Sequence, residues 1–324
     1  MKILNIIFAL VVMATACGKG NNATSAANNT DSDTTQTVAV VFSGDSAYNL
    51  VKQQCDMGPR VPGTSAHAQC AQWITTQLQQ LCDTTVVQRT QVTTFDGKTL
   101  DIQNIVGTFN PDATDRILLV AHWDCRPWAD NDPDPAKHSQ PVMGANDAAS
   151  GVAVMLELAR IMAAQRPQVG VDLLMVDAED WGTNDDEDSW ALGAQYWATN
   201  PHVTGYRANF GILLDMVGTR DARFTQEYFS LQYAQGVVAL VWDAAASAGY
   251  GNYFVKQPGG AITDDHLMVN RIAGIPCIDI IDMRPDSDTG FFSGWHTTGD
   301  TIDQIDPATL KAVGQTVANV IYGM

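Results

Sequence analysis

Short unbroken apolar runs alternate with segments of helical period along most of this chain, and that alternation predicts a layered α/β fold. Residues 65–81 carry Cys70, Trp73, Ile74, Leu78 and Leu81 on one helical face, and residues 151–162 repeat the pattern with Val152, Met155, Leu156 and Ala159. Around them lie the runs 117–121, 171–176, 210–214 and 275–281, apolar without strict alternation. Runs of that kind suit strands buried on both faces. The expected fold is therefore a mixed, mostly parallel central sheet sandwiched by helices. A final helix begins at Asp306-Pro307, a cap followed by a helix-starting proline, and lines up Leu310, Val313, Val317, Val320 and Ile321.

The first 37 residues depart from this pattern. Residues 1–16 join a lysine, an apolar run of about ten residues and small residues ahead of Cys17, the parts of an export signal that is too short to span a bilayer. Cys17 after Ala14-Thr-Ala16 is similar to a bacterial lipoprotein box, which makes it the expected lipidation site and the membrane link, at the bacterial cell envelope or periplasm. Residues 17–37 then read as the lipidated cysteine and a flexible polar tether, and 38–324 as one catalytic domain.

Composition narrows the classes. The chain has 324 residues, 45% of them hydrophobic, which supplies a large core. With 18 Lys+Arg against 36 Asp+Glu the net charge is −18, which excludes the basic footprint of a nucleic-acid binder. Five cysteines follow the tether, Cys55, Cys70, Cys82, Cys125 and Cys277; an exported location permits disulfides, and the odd count leaves at least one thiol free.

The placement of the acids says more than their number. Run 117–121 leads into His122-Trp123-Asp124, run 171–176 into Asp177-Ala178-Glu179-Asp180, and run 210–214 into Asp215. The carboxyl ends of strands in an open α/β sheet are where ligands bind, so these groups converge on one rim. Asp147 joins from the loop before residue 151, and Asp264-Asp265-His266 and Trp295-His296-Thr297 come later. A lone strand-end Asp is commonly a cap or turn former. Several together would repel one another, and a metal ion relieves that repulsion. Carboxylates and an imidazole suit zinc, whereas calcium would take more oxygens and no imidazole.

In their order, His122-x-Asp124, Gly144-Ala-x-Asp147, Glu179-Asp180, Asp215-Met-Val-Gly218, Asp264-Asp-His266 and Trp295-His-Thr297 resemble the zinc aminopeptidase and glutaminyl cyclase superfamily, from Gly58 to the last helix. The resemblance implies zinc on Asp147, Asp180 and His296, with Glu179 as proton shuttle and Asp215 and Asp264 as a proton-sharing pair. It implies one zinc per chain and cyclisation of N-terminal Gln on peptides or proteins, with ammonia released. Trp295, Trp181, Trp190 and Phe292 are the expected walls of the substrate pocket, and His122 and Asp124 are supports. The alternative within the superfamily is a two-zinc aminopeptidase in which His122 and Asp215 bind the second metal. Asp264 ahead of Asp265-His266 and Trp295 ahead of His296 favour the cyclase, while Asp180 is shorter than the usual Glu. A non-catalytic binding lipoprotein is disfavoured because the shuttle and every ligand are present. His67, His138 and His202 read as ordinary surface or core histidines. Segment 126–141 reads as a loop over the rim, either a gate or a solvated acidic turn.

Overall fold

Residues 40–324 are described by a computed structural model; the export segment, Cys17 and the whole tether lie outside the described residues. The elements run in the order α1 (Gly44–Met57), α2 (Ser65–Leu81), β1 (Thr84–Thr93), β2 (Thr99–Phe109), β3 (Arg116–His122), α3 (Ala149–Ala164), β4 (Gly170–Val176), α4 (Leu192–Thr199), β5 (Phe210–Asp215), β6 (Phe224–Gln226), α5 (Tyr228–Ser247), β7 (Phe254–Pro258), α6 (Asp265–Met268), β8 (Cys277–Ile281) and α7 (Pro307–Tyr322). The main sheet has the order β1-β2-β4-β3-β5-β8. Its four strands β4, β3, β5 and β8 are parallel, and the hairpin β1–β2 adds an antiparallel edge. This is the mixed, mostly parallel sheet expected, with β6 and β7 forming a small separate pair.

The unbroken apolar runs have a direct structural reading. Side chains alternate faces along a strand, so a strand covered on both sides carries apolar residues on both faces, and the buried Asp172 of β4 is paired with Arg116 at 3.0 Å. In β3, Ile117, Leu119 and Ala121 enter one core with residues of α1, α2, α3, α5 and α7, whereas Leu118 and Val120 enter another with residues of α4 and α6. β4 divides the same way, with Val171, Leu173 and Met175 on the first side and Leu174 and Val176 on the second.

The sequence runs and the elements differ mainly at their ends. α3 begins at Ala149, ahead of the apolar period, and β8 begins at Cys277, because Pro276 has no N–H for a ladder. The hairpin β1–β2 escaped the pattern: β1 is an edge strand rich in Thr and Gln with one face half-exposed, so it lacks a continuous apolar run. The expectation that disulfides were permitted is not used by the described residues, where Cys55, Cys70, Cys82, Cys125 and Cys277 are all free thiols.

α3 lies close against the sheet through Gly151. A Cβ there would come within 2.0 Å of the Leu214 carbonyl oxygen in β5 and 3.1 Å of Ala121 in β3. This contact brings the loop carrying Asp147 down to the strand ends. Gly151→Ala is expected to destabilise the protein by about 1–3 kcal/mol, the range for overpacking a core; urea unfolding that matches the parent would contradict so tight an approach.

Candidate active site

Each functional side chain is aimed by a turn that another element fixes. β4 ends at Val176, and Ala178 takes a left-handed conformation (φ 52) that throws Glu179 and Asp180 onto the rim. The turn is gripped from two sides. The Asp124 carboxylate accepts the backbone N–H groups of Glu179 at 3.1 Å and Asp180 at 3.3 Å. Asp177 accepts the N–H of Gln103 at 2.8 Å and pairs with His67 of α2 at 2.8 Å, whose ring stacks on buried Trp123 at 4.3 Å. His67 is thus a core histidine that braces the rim.

Asp147 is placed by a different clasp. Gly144 turns with φ +68 in a space where a Cβ would meet the Asp147 carbonyl oxygen at 2.3 Å. The backbone N–H groups of Asn146 and Asp147 donate to Asp300 at 2.8 and 3.1 Å, and the Asp147–Ala148 peptide is cis. Asn146 then accepts the N–H of Gly218 at 2.8 Å, and Ser150 accepts that of Val217 at 3.0 Å, so the turn after Asp215 is held by the same loop. His296 has φ 54, and its carbonyl accepts the N–H of Asn131 at 3.0 Å.

Asp147, Asp180 and His296 converge, with one donor atom from each lying within 4.8 Å of the others. His296 Nε2 lies 3.2 Å from Asp180 Oδ1 and 3.8 Å from Asp147 Oδ2. Ligands about 2.0–2.1 Å from a tetrahedral zinc stand roughly 3.3 Å apart, so these spacings suit that ion. Asp180 Oδ2 is buried without a hydrogen-bond partner among the described residues, an acceptor whose chemistry matches a cation. The donor set fits zinc. A second trio shares Asp147: His122 Nε2 lies 2.9 Å from Asp147 Oδ1 and 3.2 Å from Asp215 Oδ1, and these three also fall within 4.8 Å.

The carboxyl groups are not equivalent. Burial, reinforced by the charges of Asp264 and Asp180, holds the Glu179 proton well above the usual carboxylate range against the opposing effect of His122. Burial also pushes Asp215 up to about 7, with Asp147 and Asp264 adding to the rise. Asp264 is raised by burial too. For Asp147 burial is outweighed by the hydrogen bond and charge of His122, which leave it below the usual range. Glu179, raised by burial and outside the trio, is therefore suited to carry a proton beside it.

These groups form the floor of a cavity of about 250 Å³. Asp147, Glu179, Asp180, Asp215, Asp264 and His296 all line it, as the sequence led one to expect. Two of the four expected aromatic walls are there. Trp295 stacks on His296 at 3.8 Å, and Trp190 runs nearly parallel to the same ring at 6.1 Å. Trp181 is not a wall: its indole packs edge-on against Trp128 at 5.6 Å and donates to Asp96. Phe292 is buried behind the cavity, beside Gly294, and its neighbour Phe291 takes the wall position with Met216, Ile262 and Ile281. Sequence reasoning missed Phe291 and Ile262 because an apolar wall residue reads like any core residue. Asp300 and the bracing role of His67 were missed because neither follows an apolar run.

A mostly parallel sheet whose rim carries a buried Asp-Asp-His trio with a glutamate beside it has the arrangement of a zinc-dependent α/β enzyme. The chain belongs to peptidase family M28, whose family model matches residues 104–321. It is similar to a solved Bacteroides thetaiotaomicron glutaminyl cyclase bound to N-acetylhistamine, at 47% identity with a TM-score of 0.87, covering 89% of this chain and 100% of that one. A solved Zn-dependent exopeptidase from Parabacteroides distasonis is 48% identical with a TM-score of 0.87, again over 89% of this chain and 100% of that one. The glutaminyl-peptide cyclotransferase of Bos taurus is 26% identical, covering 78% of this chain and 74% of that protein.

His296→Ala is expected to abolish stoichiometric zinc retention after dialysis, read by metal analysis of the folded variant. Retention of one equivalent would remove His296 from the ligand set.

Proposed function

We propose that this protein is a zinc-dependent glutaminyl-peptide cyclotransferase that converts the N-terminal Gln of peptides or proteins to pyroglutamate with release of ammonia. The observation that carries the reading is one small cavity in which an acid-only floor, Glu179 with Asp215 and Asp264, meets the Trp190 and Trp295 walls beside the metal trio. Similarity over 89% of this chain to a solved glutaminyl cyclase supports it.

Asp147, Asp180 and His296 would hold one zinc, which would supply a Lewis acid for the side-chain carbonyl of the substrate. Glu179 accepts a proton from the substrate's neutral α-amine as it closes on the side-chain amide carbon Cδ, and returns it to the amide nitrogen, which departs as ammonia. Its raised proton affinity suits both halves of that exchange. Asp215 and Asp264 share a proton, because adjacent buried carboxyls do not both ionise readily, and the protonated member can donate to the substrate while its partner accepts from the amide NH2. Trp190, Trp295 and Phe291 exclude water, which is needed because the nucleophile arrives within the substrate.

A second reading rests on a specific observation. His122, Asp147 and Asp215 form another trio, the arrangement a two-zinc aminopeptidase would use. The cyclase reading assigns His122 to hydrogen bonding with Asp147 and Asp215 instead. For location, we propose export and lipid anchoring at Cys17, supported by the sequence pattern of residues 1–17. No helix among the described residues is long and apolar enough to cross a membrane.

The purified protein is expected to carry close to one zinc per chain and to release ammonia from a Gln-peptide amide without releasing amino acid from a Leu amide. Two tightly held metals with Leu-amide hydrolysis and no cyclisation would replace this reading with the second. Glu179→Gln is expected to lower turnover by about 10²–10⁴-fold, the usual worth of a general base, while metal content stays near the parent's. Loss of zinc in that variant would make Glu179 a ligand.

A further inference from the structure

Segment 126–141, expected over the rim as a gate or a solvated turn, takes no part in the chemistry assigned above. Its first residue is nonetheless a buried cation at the edge of the metal trio. Arg126 is 4% exposed, and its guanidinium is fully engaged. Nε and Nη2 donate to the two oxygens of Asp130 at 2.8 and 2.6 Å. Nη1 donates to the carbonyl of Asp180 at 3.1 Å and to that of Gly182 at 3.3 Å, and lies 3.5 Å from Asp180 Oδ1. The guanidinium sits 4.9 Å from the centre of the Trp190 ring, the cavity wall, and 5.0 Å from that of Trp128.

Asp130 completes a circuit. Its Oδ1 lies 3.6 Å from Nδ1 of His296, the ring nitrogen opposite the one that faces Asp180 at 3.2 Å. The backbone repeats the tie, since Asn131 donates to the carbonyl of His296 and Asp132 accepts both the N–H and the hydroxyl of Thr298 at 3.0 and 2.6 Å. The segment grips the turn that bears the histidine, which a gate would have to release.

We propose that Arg126, together with Asp130, is a positioning residue of the zinc centre. It fixes the orientation of Asp180 and, through Asp130, of His296, and it couples both to the Trp190 wall. A carboxylate beside the second nitrogen of a ligating imidazole fixes the ring's tautomer and raises its basicity. A planar guanidinium can serve two carboxylates and stack on an indole at once; a lysine ammonium is a single point charge without a stacking face. This inference rests on the Asp147, Asp180 and His296 ligand set.

The test follows zinc leaving the full chain for a chromogenic chelator, alongside thermal unfolding of the zinc-loaded and zinc-free forms. Arg126→Lys and Arg126→Ala are expected to release zinc about ten-fold faster or more, in line with the loss of a group that orients a metal ligand. Asp130→Asn is expected to do so by several-fold. In each, the gap between the Tm values of the loaded and zinc-free forms should shrink. A merely structural Arg126 would lower both Tm values equally and leave the release rate unchanged, and that result would overturn the proposal. If Arg126→Ala does not fold, Arg126→Lys and Asp130→Asn decide: parental release rates in both would overturn it. Parent protein that takes up no zinc would remove the ligand set and this inference together, whereas zinc-replete parent and variants with equal release rates would remove this inference alone.

Discussion

The fold is organised around one electrostatic constraint, the burial of many carboxyl groups at one end of one sheet. Asp147, Glu179, Asp180, Asp215, Asp264 and Asp265 are all at most 8% exposed. Ionised together without counter-charge they would cost several kcal/mol each in lost hydration. The protein meets the constraint by three means. His122 offers charge and hydrogen bonds to Asp147 and Asp215. Backbone N–H groups are pointed at the outer acids, as at Asp124 and Asp300. The innermost ones shift toward the neutral form: Asp265 and Asp279 have no hydrogen-bond partner for either oxygen among the described residues, and burial among like charges raises the proton affinity of both well above the usual range.

The same constraint explains why the rim is made of turns in an uncommon conformation. A strand that simply ran on would point alternate side chains into opposite cores. Ala178, Met216 and His296 are non-glycine residues with φ of 52, 48 and 54, and each bends the chain within one residue of a cavity-lining acid or at a cavity-lining histidine. Such conformations cost of order 1–3 kcal/mol and persist where surrounding contacts over-determine them. Here the contacts are long-range: Asp124 on the turn after β4, Asn146 and Ser150 on the turn after β5, and Asn131 on His296.

This division sets how far the sequence can be read. The parallel strands, α3, α7 and the acids that follow the strands were legible because burial on both faces demands unbroken apolar runs and because strand ends are where a sheet presents chemistry. The trio of Asp147, Asp180 and His296 came from a resemblance in motif order, and the structure brings those residues together. What stayed hidden depends on three-dimensional proximity without local periodicity. Edge strand β1 needs only half a core, so its pattern is weak. Trp181 and Trp190 flank the same turn and are indistinguishable by type, yet one packs toward Trp128 and the other onto the cavity. Phe291 and Phe292 are adjacent, and which one forms the wall depends on the left-handed turn at Gly290 and the space beside Gly294.

The two chemistries possible on this floor differ in where the nucleophile comes from, and that difference falls on the walls and the second trio. Hydrolysis needs a water held against the scissile carbonyl, and a two-metal site would place a second cation at His122, Asp147 and Asp215. Cyclisation needs no water nucleophile. An α-amine and a γ-amide already joined by three carbons require only to be folded toward each other, so orientation replaces a bimolecular encounter and apolar walls that hold the side chain bent favour the reaction. Trp295 stacked on His296, with Trp190 parallel to the same ring, sets a hard lateral limit beside the trio. Asp215 and Asp264 line the same cavity, and burial raises the proton affinity of both, which in the cyclase reading suits them to hydrogen-bond a departing amide.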